Sequence, residues 1–172
     1  MARVRRSASL IEPVGADLVA LAQAHALDVS TFPHASIPLI LGGDAPPTVW
    51  IARAERGGPV VGFVATRANR SALEISGLAV DPAHRRTGIA RTLVRTAVRS
   101  ARSRGFATVE LHVSTGNDAA LALYESERFH EARRIEGYYD ATRFLNDHRE
   151  FVPRESRGKD DGDAWLMVRD VT

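Results

Sequence analysis

The chain of 172 residues contains no cysteine, which excludes disulfides, thiolate metal sites and a cysteine acyl-enzyme. It also lacks an apolar run of the roughly 18 residues that a membrane helix needs. The basic start Met1-Ala2-Arg3-Val4-Arg5-Arg6 meets only Leu10-Ile11 before Glu12, too short an apolar piece for a signal peptide. Cytoplasmic localisation without a membrane partner is therefore expected. Aromatic residues are scarce at 6%, and none interrupts the arginine-dense segment 85–104, as a stacking platform for nucleic acid would require. Net charge is only +2, so the clustering of arginine matters more than the total: solvation, nucleic acid or a phosphorylated cofactor could each use Arg85, Arg86, Arg91, Arg95, Arg99, Arg102 and Arg104. Nucleic acid is the least expected of the three.

What is present, 44% hydrophobic and 26% charged residues, is the composition of a folded domain with a substantial core. The pattern predicts strands over 4–12, 49–54, 60–66 and 73–80, the middle two joined as a hairpin by Arg56-Gly57-Gly58-Pro59. Further strands are predicted for the alternating segment around Val109, Leu111 and Val113, then for 129–135 and 165–168. Helices are predicted for 15–26, 88–104 and 117–127, the last with Asn117 as cap. Segment 29–47, with its prolines and Gly42-Gly43, reads as a loop with at most short helical pieces. Strands alternating with helices give the expected fold class, α/β (α+β): one domain with a mixed central sheet flanked by helices. The charged stretch 140–162 reads as an ordered excursion or a flap over a substrate.

Arg85-Arg86-Thr87-Gly88-Ile89-Ala90 lies between a strand and a long helix. Gly88 permits close backbone approach, and Ala90 keeps the next such position small. Free N–H groups at a helix start there would hold diphosphate oxygens. The spacing is neither a dinucleotide fingerprint nor a P-loop, and the physics alone fits an anion cradle or an ordinary tight turn equally.

At this point the chain resembles the GNAT superfamily of acyl-CoA-dependent N-acyltransferases. Arg85-x-x-Gly88-x-Ala90, preceded by Leu78-Ala79-Val80-Asp81-Pro82, is similar to the family's Arg/Gln-x-x-Gly-x-Gly/Ala pattern, and the segment from Asn117 through Tyr124 and Glu125 to Phe129 is similar to its N-x-x-A-x-x-x-Y-E-x-x-G-F pattern, with Arg128 in place of the glycine. Gly137-Tyr138-Tyr139 and Asp163-Ala164-Trp165-Leu166-Met167 resemble elements of RimI-like protein N-terminal acetyltransferases, although 140–162 separates them here. The resemblance implies the GNAT fold, acetyl-CoA as cofactor held by Leu78, Ala79, Val80, the 85–90 loop, Asn117 and Tyr124, and transfer to a primary amine. A protein N-terminal α-amine ranks first, lysine or a small-molecule amine next, and a non-catalytic CoA- or RNA-binding role last.

Amine acylation needs a proton acceptor for the amine and a proton donor for the thiolate. His112, on the strand side opposite Val109, Leu111 and Val113, has the pKa range for either task, and its position resembles that of bases proposed in the related enzymes. Glu74 is a second candidate base, though a charge between Leu73 and Ile75 also fits an exposed strand face. Tyr124 resembles the family's candidate acid. Phe32-Pro33 and Tyr138-Tyr139 resemble two loops that clamp a peptide acceptor. The other histidines have no metal-like spacing, so no zinc site is expected.

Overall fold

The computed structural model describes residues 10–31, 47–139 and 162–171. They build a seven-stranded mixed sheet carrying three α-helices. In chain order these are β1 (Leu10–Pro13), α1 (Leu18–Thr31), β2 (Thr48–Arg53), β3 (Val60–Asn69), β4 (Ala72–Val80), α2 (Ile89–Ser103), β5 (Thr108–Ser114), α3 (Asp118–Ser126), β6 (His130–Ile135) and β7 (Ala164–Asp170). Strand order is β1-β2-β3-β4-β5-β7-β6. All pairs are antiparallel except β4 with β5, and α2 supplies the crossover that a parallel pair requires.

The expected mixed sheet and the β2–β3 hairpin are present. Helix α1 departs from expectation, starting at Leu18 rather than Gly15 and running on to Thr31. Residues 29–31, assigned from sequence to the loop, close its last turn, with the Ser30 and Thr31 hydroxyls donating to the Leu27 carbonyl. At the other end the Asp17 side chain accepts from the Ala20 N–H at 2.9 Å, the cap that sets the later start. Of the predicted strand 4–12, only its final part lies within the described residues. The predicted excursion at 140–162 lies outside them apart from Gly162, as do Phe32 and Pro33. Among the described residues no helix is long and apolar enough to cross a membrane.

Strand alternation divides the core in two. Leu73, Ile75, Leu111, Val113 and Met167 face α2 and α3, whose Leu93, Val94, Ala97 and Tyr124 complete that layer. Val49, Ile51, Phe63 and Ala65 face α1 with its Ala20, Leu21 and Ala24. Each fully buried aliphatic or aromatic side chain contributes about 1.5–3 kcal/mol, and both faces of the central strands collect that contribution. Glu74, Glu110 and His112 alternate with the first set, which turns them to the α1 side of the sheet.

Two irregularities shape the centre. The β3–β4 register passes from Thr66↔Ile75 to Ala65↔Gly77, leaving Ser76 as a bulge. The parallel pairing of β4 with β5 covers only Ala72–Ile75 against Thr108–Leu111. Beyond it β4 continues to Val80 along β3, and β5 continues to Ser114 along β7. The two strands therefore part, opening a wedge through the middle of the sheet.

Candidate active site

The wedge is flanked at its mouth by the start of α2. Asp81 ends β4 and spends its side chain locally, accepting from the Ala83 N–H at 2.8 Å and pairing with His84 at 3.1 Å. Arg85 turns back toward β4, its Nε donating to the Val80 carbonyl at 3.0 Å. The Thr87 hydroxyl donates to the His84 carbonyl at 2.6 Å. Gly88 then enters α2 in the left-handed region, φ 93°, and no side chain caps the helix. Among the described residues no acceptor takes the N–H groups of Gly88, Ile89 or Ala90. A Cβ built on Gly88 would meet nothing within 4 Å, so the space beside these amides is open. Orphan helix N–H groups beside open space suit a diphosphate.

The side wall of the cradle is packed closely. A Cβ on Gly62 of β3 would meet the Ala79 carbonyl at 3.1 Å and Ile89 at 3.2 Å. This small residue lets the helix start sit down on the strands.

On the α1 side of the sheet, β3, β4, β5 and the turn after β6 bring four side chains together. Glu74 is only 5% exposed and is gripped by the Arg67 fork, with Nε to Oε2 at 2.8 Å and Nη2 to Oε1 at 3.1 Å. The expectation of an exposed strand face at Glu74 is therefore overturned: the sheet face there is covered, and a guanidinium compensates the carboxylate. His112 Nδ1 lies 3.8 Å from Glu74 Oε1. Its ring stacks on Tyr138, centroids 4.5 Å apart at 12°, and Tyr138 meets Tyr139 edge-on at 5.1 Å. Burial lowers the His112 pKa, while the neighbouring Glu74 and Glu110 carboxylates oppose that and Arg67 and Arg133 add to it. A neutral imidazole at neutral pH is the result, free to accept a proton. Burial raises the Tyr138 hydroxyl pKa, and Glu74 raises it further.

Tyr124 approaches from the other face. Helix α3 presents it to the core beside Phe129, rings 5.7 Å apart and edge-on. Burial, with the Tyr139 phenol adding to it, holds its pKa far above the ordinary value, so it stays an O–H donor. Asn117 accepts from the Ala120 N–H at 3.1 Å and so caps α3. The structure thus brings together Glu74, His112, Tyr138 and Tyr139 of the sequence-predicted set, while Tyr124, on the other face, is within electrostatic reach of Tyr139.

Two residues of this region, Arg67 and Glu127, were given no role from sequence, and Asp163 was marked only as the head of the 163–167 element. Arg67 orients Glu74; only its place at the far end of a long strand hinted at it. Asp163 is 1% exposed and takes the Gly137 N–H at 2.8 Å and Arg134 at 2.8–3.0 Å. It thereby pins the turn that carries Tyr138. Glu127, 4% exposed, pairs with Arg91 at 3.0 Å and Arg95 at 2.8 Å, which places an acid beside an arginine stripe whose nearest acids in sequence were Asp81 and Glu110. Among the described residues no cluster of potential metal ligands occurs.

Comparison with known proteins adds to this geometry. The acetyltransferase (GNAT) family profile matches residues 18–129. An alanine N-acetyltransferase of ribosomal protein bS18 from Escherichia coli strain K12 is 36% identical over 85 residues, covering 49% of this chain and 57% of that protein. The chain thus spans somewhat over half the length of this curated relative. Among solved structures, the Escherichia coli ribosomal-protein-S18-alanine N-acetyltransferase superposes with a TM-score of 0.68 at 23% identity, covering 96% and 95% of the two chains. A chain of the NatC complex bound to Gag peptide and CoA gives 0.69 at 22%, covering 95% and 99%. These two likenesses establish the shared fold.

Proposed function

The chain belongs to the acetyltransferase (GNAT) family, and from that premise we propose that it transfers an acetyl group from acetyl-CoA to a primary amine, with a protein N-terminal α-amine as acceptor. The observation that carries the reading is the wedge between β4 and β5 with a neutral histidine on one face of the sheet and a buried tyrosine on the other. The donor's diphosphate would rest on the N–H groups of Gly88, Ile89 and Ala90, with Arg86 and Thr87 beside it and its pantetheine arm in the wedge. The thioester supplies an activated acyl carbon. A backbone N–H among Leu78, Ala79 and Val80 donates to its carbonyl oxygen as charge develops there. Asn117, spent on capping α3, supports that site by fixing the helix that carries Tyr124.

Glu74 is occupied by Arg67 on both oxygens, which leaves His112 as the group to accept the amine proton, directly or through a water. Glu74 then orients and polarises the imidazole. Tyr124 donates its proton toward the departing sulfur. Tyr138 and Tyr139 offer rigid aromatic surface to the first residues of a peptide, and the bS18-directed relative acts on a protein alanine. Phe32 and Pro33 are proposed as the opposing clamp.

An acetyl-CoA assay over peptides with free N-termini, N-terminally blocked lysine peptides and small amines tests the acceptor. Turnover confined to free N-termini is the expected result. Turnover of blocked lysine peptides or small amines alone would replace the acceptor while leaving the transfer chemistry.

A further inference from the structure

A second concave site lies outside the wedge, where the outer face of α2 meets the exit of α3 and the end of β7. It encloses about 410 Å³ and is lined by Arg95, Arg99, Arg102, Arg128 and Arg169, with Glu127 the one carboxylate among the described residues that line it. Two guanidiniums are anchored to backbone: Arg102 Nε donates to the Val171 carbonyl at 3.0 Å and Arg169 Nη1 to the Glu127 carbonyl at 2.6 Å. Arg95 Nε donates to Glu127 Oε2 at 2.8 Å, and Arg99 Nη2 donates to the Thr96 hydroxyl at 2.8 Å. Among the described residues no carboxylate pairs with Arg99 or Arg128.

Arg99 and Arg128, gathered with three further guanidiniums in a half-enclosed space, are repelled more strongly than they would be in bulk water. The effect registers at Arg169, only 20% exposed at its side chain. Burial lowers its pKa first, Glu127 opposes this, and Arg128, Arg102 and Arg95 push it down further. An anion of several charges placed among them would remove that repulsion and receive forked hydrogen bonds from pre-positioned guanidiniums. The cavity's size suits a compact ligand. No aromatic side chain lines it among the described residues, so nothing is provided for stacking a nucleobase. Along α2 the site begins seven residues after Gly88, about 10 Å from the cradle, and extends away from it.

We infer that this groove is a binding site for a compact oligophosphate anion, separate from the diphosphate cradle. Inorganic tripolyphosphate is the probe, titrated calorimetrically into the full chain with and without saturating CoA. Binding at one site, unchanged by CoA, is expected. The pair Arg99→Gln with Arg128→Gly should weaken it at least about tenfold, the loss of one or two charge-assisted hydrogen bonds. Arg128 sits at φ 66°, so glycine keeps the local backbone, and Arg99 lies on a helix where glutamine is well tolerated. Arg56→Gln, in the β2–β3 turn, removes the same kind of charge elsewhere and should leave affinity unchanged.

Three results would overturn the inference. Displacement of the probe by CoA would assign binding to the cradle. Native affinity in the paired variant would remove Arg99 and Arg128 from the site. Tighter binding of a single-stranded RNA of equal phosphate number than of tripolyphosphate would make the groove a nucleic-acid surface.

Discussion

Helices α2 and α3 each follow a strand of the parallel pair, yet their amino ends are built in opposite ways. α3 is closed by its own sequence, the Asn117 side chain accepting from the Ala120 N–H. α2 begins at a left-handed glycine with no side-chain cap, while neighbouring polar side chains are tied down elsewhere. A capped end contributes stability, and an uncapped one leaves donors for a ligand. In the proposed mechanism the β4–α2 unit binds the donor, and the β5–α3 unit supplies the reacting side chains, His112 from its strand and Tyr124 from its helix.

That division of labour can be broken most severely in the second unit. His112→Ala and Tyr124→Phe should each lower kcat by about 10²–10⁴, the scale of a lost acid or base, with CoA affinity retained. Calorimetric CoA binding beside steady-state kinetics makes the check, and unchanged kcat in both variants would remove these roles. In the first unit, Gly88→Ala keeps the protein interior undisturbed, because its Cβ points into open space. It strains a φ of 93° by about 1–2 kcal/mol and intrudes where the anion would sit. CoA affinity should drop at least about tenfold, and native affinity in this variant would mean that the open helix end is only a turn.

Asn117→Ala sharpens the same contrast on a smaller scale. Loss of the cap should cost about 1 kcal/mol of stability in denaturant unfolding, with CoA affinity unaltered. If affinity falls and stability does not, Asn117 contacts the donor and the two helix ends are less different than their geometry suggests.

Legibility from sequence followed the same line. The cradle and the α3 segment are contiguous, so Gly88, Ala90, Asn117 and Tyr124 could be found in one pass along the chain. Arg128 could be marked there as a departure from glycine, and its φ of 66° shows that the chain keeps the conformation without the residue suited to it. The acceptor side is assembled across the sheet. His112 and Glu74 were visible as polar residues in apolar alternation, but their meeting depends on the β4–β5 register, Arg67 enters from a strand that no local pattern connects to them, and the 163–167 motif did not show that Asp163 would pin the turn at Gly137. α1 ran past its expected end because Leu27 accepts the Ser30 and Thr31 hydroxyls, a local bond that propensity does not reveal.

The subtlest break separates Glu74 as base from Glu74 as orienter. His112 is faced by Glu74 from β4, Glu110 of its own strand, Arg67 from β3, Arg133 from β6 and the Tyr138 ring. Burial lowers its folded pKa below about 6.5, so the unfolded chain binds more protons between the two values. Stability contributed by this group is therefore lost as pH falls from about 6.5 toward the folded pKa and is constant above. The acid limb of kcat/KM should lie below about 6.5, since kcat/KM reports the base in the free enzyme. Glu74 holds the imidazole pKa up against burial. Glu74→Gln removes that support, and the limb should move to lower pH while kcat at neutral pH falls only modestly, through looser orientation of the ring. Arg67, 59% exposed at its side chain, retains water in place of its lost partner, so folding should be little affected. A pH profile with its limb unmoved, or a loss in Glu74→Gln as deep as that in His112→Ala, would transfer the proton to the carboxylate and make His112 the residue that positions it.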